Sequence, residues 1–399
     1  MEKNKKNQGF KTSEVVILVL LTFIVSLIIG ILFGKQKIKS KEMDVEDEYL
    51  NSFIKNYNYV INNYYKEVDK EKIINGAIEG MMSSLEDPYS MYFNSNESSL
   101  FNVLLEGEYY GLGVLYSKNT DTNQFVITSV LKNSPAYNSG LKSNDIILSI
   151  DEKELNDNDL EELSNYVSNN DKVFKLKILR NGKESVVEIS KEKVNIESVD
   201  SKVIEKDDKK IGYISISIFA SNTYKQFKAE LQNLEQQNID SLIIDVRQNT
   251  GGHLTTVENI LNEFLTKDQV SYVMEKNNEK TKYYGKAKEN KKYSIVLLGD
   301  SDSASASEVL ISSLRDNLNS YFIGEKTYGK GSVQELVTLP NGTQYKITTQ
   351  RWLTPKLICV SDTKGIKPDK EVALSEEYYK TFKDEDDNQL QEAINYLSK

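Results

Sequence analysis

The sequence predicts an α/β protein: a sheet buried by helices, interrupted by a β-rich insertion and preceded by one apolar helix. Three observations carry this. From about residue 194 onward, short apolar runs alternate with helix-length segments, the pattern of a sheet covered by helices. Between about 101 and 191 the helical spacing gives way to β-branched alternation broken by turn residues. Residues 15–34 read VVILVLLTFIVSLIIGILFG without a charge, long enough at helical rise to span a bilayer core.

The apolar run exceeds the core of most secretory signals, and no small-residue cleavage site follows it. It reads as an uncleaved anchor, with a cleaved signal sequence as the alternative. Four of the first eleven residues are Lys, and more lysines follow the run, so the flanking charge is not one-sided. A tail of residues 1–14 is short, which makes the large body the translocated part. The expected localisation is a single-pass cell-membrane protein, N-terminus inside and body outside.

Bulk composition then limits the chemistry. Hydrophobic residues are 39% and charged residues 28% of the 399, as expected for globular domains. A net charge of −10 provides no general field for nucleic acid. One Cys and one His exclude an intramolecular disulfide, a cysteine-built metal site and a two-histidine zinc site.

In residues 35–102, Tyr49, Phe53, Tyr57, Val60, Ile61 and Tyr64 recur at three- and four-residue spacing, one apolar stripe of a helix suited to a core or a dimer contact. Within the insertion, strands are expected at 124–131, 145–150, 172–179 and 185–189, with a helix at 157–167. Asn181-Gly182 between the last two strands is a hairpin turn. In the α/β part, strands are expected at 211–218, 241–246, 294–298 and 321–323. Helices are expected at 222–236, 254–265 and 306–318. A hairpin turns at Pro340-Asn341-Gly342, and a last helix follows the acidic stretch 384–387.

Three strings carry chemistry. Ser305 stands between a strand and a helix, three residues before Glu308. The S-x-x-E spacing suits a capping box, yet the same place faces free amides and the positive end of a helix, which suits a nucleophile. A serine needs a base. His253, after Gly251-Gly252, and Lys330, between Gly329 and Gly331, are the two candidates. A lysine serves only where desolvation or positive neighbours bring its pKa down from about 10.4. Finally, Asp245-Val-Arg-Gln-Asn-Thr-Gly-Gly252 runs from a buried strand into a double glycine, where backbone amides can converge on an anion. It lacks the Gly-Lys-Ser/Thr of a P-loop.

In this order and spacing, these strings resemble the carboxyl-terminal processing (tail-specific) proteases of peptidase family S41. The likeness includes Ser303-Ala-Ser-Ala-Ser-Glu308, Gly324-Glu-Lys-Thr-Tyr-Gly-Lys-Gly-Ser-Val-Gln334, Asp87-Pro-Tyr-Ser90 and Gly365-Ile-Lys-Pro-Asp369. The resemblance implies a crotonase-like (ClpP/crotonase-type) protease core at 191–399. It also implies Ser305 as nucleophile, Lys330 as general base, Gln334 orienting that lysine, and the amides of Gly251 and Ala306 as oxyanion hole. No metal or organic cofactor is implied. Thr250 and His253 depart from the family pattern, which puts the geometry of that loop in question.

Residues 103–190 resemble a bacterial PDZ domain. Gly111, Leu112 and Gly113 match its carboxylate-binding loop, and Ser134-Pro-Ala136 with Gly140-Leu-Lys-Ser-Asn-Asp-Ile-Ile147 matches its central stretch, Asn144 replacing a usual Gly. Such domains add a peptide as an extra strand and hold its terminal carboxylate on amides. The expected partners are protein substrates with exposed apolar C-termini and the cytoplasmic membrane, with a homodimer through terminal helices as a further expectation. Two other readings remain open here: a membrane-tethered PDZ adaptor with a dead protease fold, and a receptor for a small anion at Gly251-Gly252.

Overall fold

The computed structural model describes residues 48–119, 122–154 and 160–399. The expected anchor at 15–34 lies outside them; among the described residues no helix is long and apolar enough to cross a membrane. The chain divides into two units, Met1–Ala77 and Ile78–Lys399. In the first, the striped helix forms as Glu48–Asn63, but none of its side chains is buried. Tyr49 is 86% exposed and Phe53 47%, so among the described residues the stripe does not serve as a core.

The centre of the second unit is a six-stranded sheet in the order Val199–Lys206, Lys209–Ile216, Ser241–Asp245, Ser294–Gly299, Tyr321–Gly324, Lys370–Glu371. The first pair is antiparallel and the others parallel. All five residues of Ser241–Asp245 are buried, because helices cover both faces. Alternation assigns each side chain its face. Leu242 and Ile244 pack into the core shared with helices Thr223–Gln236, Leu254–Leu261 and Ala306–Leu318. Ile243 instead meets Leu390, Ala393 and Ile394 of helix Asn388–Ser398.

A second sheet joins Met91–Phe93, Gln344–Leu353, Val270–Lys276 and Glu279–Tyr284, with Ser332–Thr338 pairing Gln344–Leu353. The 270–284 hairpin and the edge strand Val199–Lys206 are absent from the sequence-based expectation. In VDSKVIEK the edge position leaves one side in water, so the apolar signal is diluted.

The insertion forms its own sheet, ordered Val114–Lys118, Phe125–Val130, Ile146–Ile150, Val173–Arg180, Lys183–Ser190, around a core with Phe125, Ile127, Phe174 and Ile178. Arg180 pairs with Lys183, so Asn181 and Gly182 are a two-residue turn, both at positive φ (51° and 74°) as a type I′ turn demands. Asn144, replacing a Gly, has φ 70°, a region Asn tolerates better than most residues.

Candidate active site

The site is built where the loops after strands Ser241–Asp245 and Ser294–Gly299 meet. Serine hydroxyls stitch them together. Ser303 Oγ donates to Val246 O at 2.7 Å and Ser307 Oγ to Asn249 O at 2.8 Å, both serines being fully buried. Ser305 lies between them and lines a cleft of about 440 Å³ with Gly251, Gly252, His253, Ala306, Lys330, Gln334, Lys346 and apolar residues. The alternating serines thus divide in role: two hold the loop and one faces the cleft.

Ser305 has φ 54° and ψ −111°. For a residue with a Cβ this conformation costs of order 1–3 kcal/mol and persists only when the surroundings enforce it. Here they do. Its N–H donates to Glu308 Oε2 at 2.9 Å, and Gly251 lies so close that a Cβ there would come within 3.0 Å of Ser305 Cβ. The turn presents Oγ beside the first turn of helix Ala306–Leu318, where the Ala306 N–H has no intrahelical acceptor. Gly251 differs: its N–H donates to Asn249 Oδ1 at 2.9 Å.

Glu308, fully buried, ties the serine loop to the lysine loop. Besides Ser305 N–H it accepts from Thr327 Oγ1 (2.6 Å), Gly329 N (2.7 Å) and Lys330 N (2.8 Å). Burial pushes its carboxyl upward against these donors. An ionised carboxylate, which only accepts, matches four donors. Glu308→Gln would place an amide N–H₂ against at least one of them. We expect kcat/KM to fall by roughly 10²-fold, since displacements near 1 Å at a reacting group carry costs of that size. Steady-state cleavage assays on a protein of verified fold test this, and a wild-type rate would remove Glu308 from the arrangement.

Lys330 is half-buried, its Nζ 4.8 Å from the centroid of the Tyr89 ring. Burial, then the charge of Lys346, push its pKa down to about 8, with Asp87 and Glu308 acting the other way. No hydrogen bond joins Lys330 Nζ to Ser305 Oγ here, and such bonds commonly tighten only with substrate bound. Gln334 lines the same cleft, but its Nε2 donates to Ser332 Oγ (2.9 Å) and Thr348 Oγ1 (3.0 Å). His253 lines it too, with Nε2 buried and, among the described residues, without a hydrogen-bond partner.

A larger hollow of about 750 Å³, lined by Arg315, Asp316, Lys356 and Asp369 among others, has these charges tied in Arg315–Asp369 and Lys356–Asp316 pairs. It holds Gly365, Ile366, Lys367 and Asp369 of the closing string, but none of Ser305, Lys330, Gln334, Gly251 or Ala306.

In the insertion, Gly111 ends a strand pairing with Glu192–Asn195. Leu112 and Gly113 form the loop that follows. Leu112 O accepts from Ala136 N–H and Gly113 O from Leu131 N–H, both at 2.9 Å. Gly113 has φ 82°, and a Cβ there would lie 2.1 Å from Ser134 Cβ, so this position requires glycine.

The sheet core with a strained serine turn, facing a half-buried lysine and carrying an inserted peptide-binding-type domain, has the build of a serine hydrolase acting on polypeptides. Comparison with known proteins agrees. The model for peptidase family S41 matches residues 210–372, that for a PDZ domain matches 111–190, and that for the activating protease CtpB N-terminal domain matches 32–97. The chain is 34% identical over 326 residues to the carboxy-terminal processing protease CtpB of Bacillus subtilis, covering 81% of this chain and 67% of that one. It is 31% identical over 387 residues to a protein described as a CtpA-like serine protease in Staphylococcus haemolyticus, covering 94% and 76%. A solved Bacteroides fragilis structure described as an S41 protease shares the fold, with a TM-score of 0.50 at 17% identity over 80% of this chain and 90% of that one. The chain belongs to the carboxy-terminal processing serine proteases of peptidase family S41 and carries a PDZ domain.

The structure thus brings Ser305, Ala306, Gly251, Lys330 and Gln334 to one cleft, whereas Gly111 ends the two-stranded pair with Glu192–Asn195 and Leu112 and Gly113 form the loop leading into the insertion sheet. Sequence reasoning missed Lys346, which carries no motif. It quoted Asp87 and Tyr89 only for their likeness, and read Glu308 only as a cap; the S-x-x-E spacing was the available signal.

Proposed function

We propose that the chain is an endopeptidase in which Ser305 is the nucleophile and Lys330 the general base, cutting extracytoplasmic proteins near their C-termini. The observation that carries this is Lys330, half-buried in the cleft of Ser305 and discharged toward neutral pH by burial and Lys346. Neutral Lys330 takes the Oγ proton as Oγ bonds to the scissile carbonyl carbon, whose oxygen takes the negative charge. The Ala306 N–H receives that charge; the Gly251 N–H joins it once Asn249 Oδ1 lets go. As the C–N bond breaks, the Lys330 ammonium protonates the leaving amine. Water then attacks the ester, Lys330 again taking a proton, and Ser305 is restored. Gln334 is held through Nε2 by Ser332 and Thr348, which leaves its Oε1 as the atom to accept from the Lys330 amine in the substrate-bound state. The sequence calls for no metal or organic cofactor.

The PDZ loop Gly111-Leu112-Gly113 is assigned the substrate's terminal carboxylate, and apolar C-termini suit Phe101, Leu104, Leu105 and Leu336 along the cleft. The uncharged run 15–34 supports membrane anchorage with the body outside, and the exposed stripe of Glu48–Asn63 supports pairing with a second copy.

The pH profile tests the base. Only neutral Lys330 accepts the proton, so kcat/KM of the full-length chain on an unstructured protein with an apolar C-terminus should rise about tenfold per pH unit. It should level off above about 8. A profile flat between pH 6 and 9 would contradict the assignment. Amidating the substrate's C-terminus should raise KM, and an unchanged KM would remove the PDZ role.

A further inference from the structure

A second lysine shares the cleft, and nothing in the reaction above uses it. Lys346 comes from strand Gln344–Leu353, paired with Met91 on one side and Leu336 on the other. Its Nζ lies 5.3 Å from the centroid of Phe101, as that of Lys330 lies over Tyr89. Among the described residues neither ammonium group has an ion pair. Two half-buried cations in one cleft repel one another, and the repulsion favours the neutral form of either amine.

The counterweight is Asp87. Its carboxylate is fixed by Ser90 Oγ and the Tyr89 N–H (3.1 Å), and Ser90 Oγ also accepts from Thr348 N–H at 3.0 Å, two residues along from Lys346. The Asp87-Pro-Tyr-Ser90 turn is thereby pinned to the strand that carries Lys346, and it lays the Tyr89 ring against Lys330.

We propose that Lys346 and Asp87 are positioning residues acting with opposite sign on Lys330, Lys346 favouring its neutral form and Asp87 its charged form, so that their balance sets the pH at which cleavage begins. This rests on Lys330 being the general base. The remaining groups facing Lys330 are Glu308, engaged by four donors, and Tyr89, which contacts Tyr328 and is pushed up to about 12 by burial and that neighbour, staying neutral in the working range. His253 lines the same cleft. The electrostatics agree: burial and Lys346 lower Lys330 while Asp87 raises it, and Lys346 is itself lowered by burial against Asp87. Asp87 lies below the ordinary carboxylate range, the hydrogen bonds of Ser90, Thr348 and Tyr89 and the charge of Lys330 overcoming its burial. The ring faces favour the charged ammonium, so a positive neighbour is needed all the more.

The test is the acid limb of the kcat/KM profile of the full-length chain in wild type, Lys346→Gln, Lys346→Arg and Asp87→Asn. Lys346→Gln should move the limb to higher pH by on the order of one unit, lowering the rate about tenfold at pH 7; Asp87→Asn should move it to lower pH, and Lys346→Arg should stay near wild type. Loss of packing alone lowers the plateau without moving the limb in opposite directions. Competitive acetylation of the Lys330 amine against pH, read by mass spectrometry, reports the same shifts without turnover and serves for any variant too slow to assay. Limbs and labelling unmoved in folded Lys346→Gln and Asp87→Asn overturn this proposal while leaving the base in place. A Lys330→Ala chain that cleaves like wild type overturns the base assignment itself.

Discussion

Ser305→Ala and Lys330→Ala should each lower kcat/KM by at least about 10⁴-fold, the scale seen when one member of a nucleophile–base unit is removed. The two losses should not add, because either change breaks the same step. Ser305→Ala should leave the fold intact. Its backbone strain is held by Glu308 and by the close approach of Gly251, not by the hydroxyl. Lys330→Ala deletes a cation that burial disfavours, so the folded state should lose little stability. Cleavage assays paired with thermal unfolding separate the two effects. A folded Ser305→Ala protein that cuts at the wild-type rate would falsify the nucleophile assignment, and a third residue of the cleft, His253 first, would have to be examined.

Arg247→Met should destabilise the fold by about 3–5 kcal/mol, the range for removing one partner of a buried charge network. Arg247 follows the central strand and bonds Asp245 and Asp387, with N–O distances of 2.6 and 2.7 Å, and reaches Gln389 Oε1 at 2.9 Å. Both carboxylates are nearly buried, at 6% and 3% side-chain exposure. Tyr213 OH donates to Asp245 Oδ2 at 2.8 Å, and Asp387 caps helix Asn388–Ser398 through Leu390 N–H. Without the guanidinium, two carboxylates face one another with no cation, and the helix loses its clasp on the sheet. Equilibrium urea unfolding measures the cost, and hydrogen exchange should show 388–398 opening first. Arg247→Met with Asp245→Asn and Asp387→Asn should recover part of the loss, since the unpaired charges go as well. A single-variant cost below about 1 kcal/mol would mean that the network contributes little.

Much of the core was legible because periodicity follows from burial. Helix Ala306–Leu318 coincides with its expected bounds. Ser241–Asp245 and Thr223–Gln236 depart from theirs by one residue, because strands covered on both faces must be apolar throughout. Helix Leu254–Leu261 stops four residues short of the expected 265. Residues 262–264 leave the helix as a turn, yet Phe264 and Leu265 remain in the core, so apolar spacing continues past the helix. Cys359 is buried as a core residue in a loop against Gly331. The 270–284 hairpin was missed because its second strand, EKTKYY, is largely solvent-facing and shows little of the alternation a half-buried strand needs.

The sequence by itself determined the order of parts and the β-rich character of the insertion, since these reside in strings of neighbouring residues whose spacing sets local backbone geometry, and the resemblance of those strings to a family singled out Ser305 and Lys330 as a pair. Only the tertiary structure decided what surrounds them: Glu308 linking the two loops, Gly251 held by Asn249, Gln334 turned to Ser332 and Thr348, and Lys346 and Asp87 brought beside Lys330 from positions 16 residues after it and 243 before it. A lysine's charge depends on desolvation and on neighbours within a few ångströms, and those distances are set by packing between elements far apart in the chain.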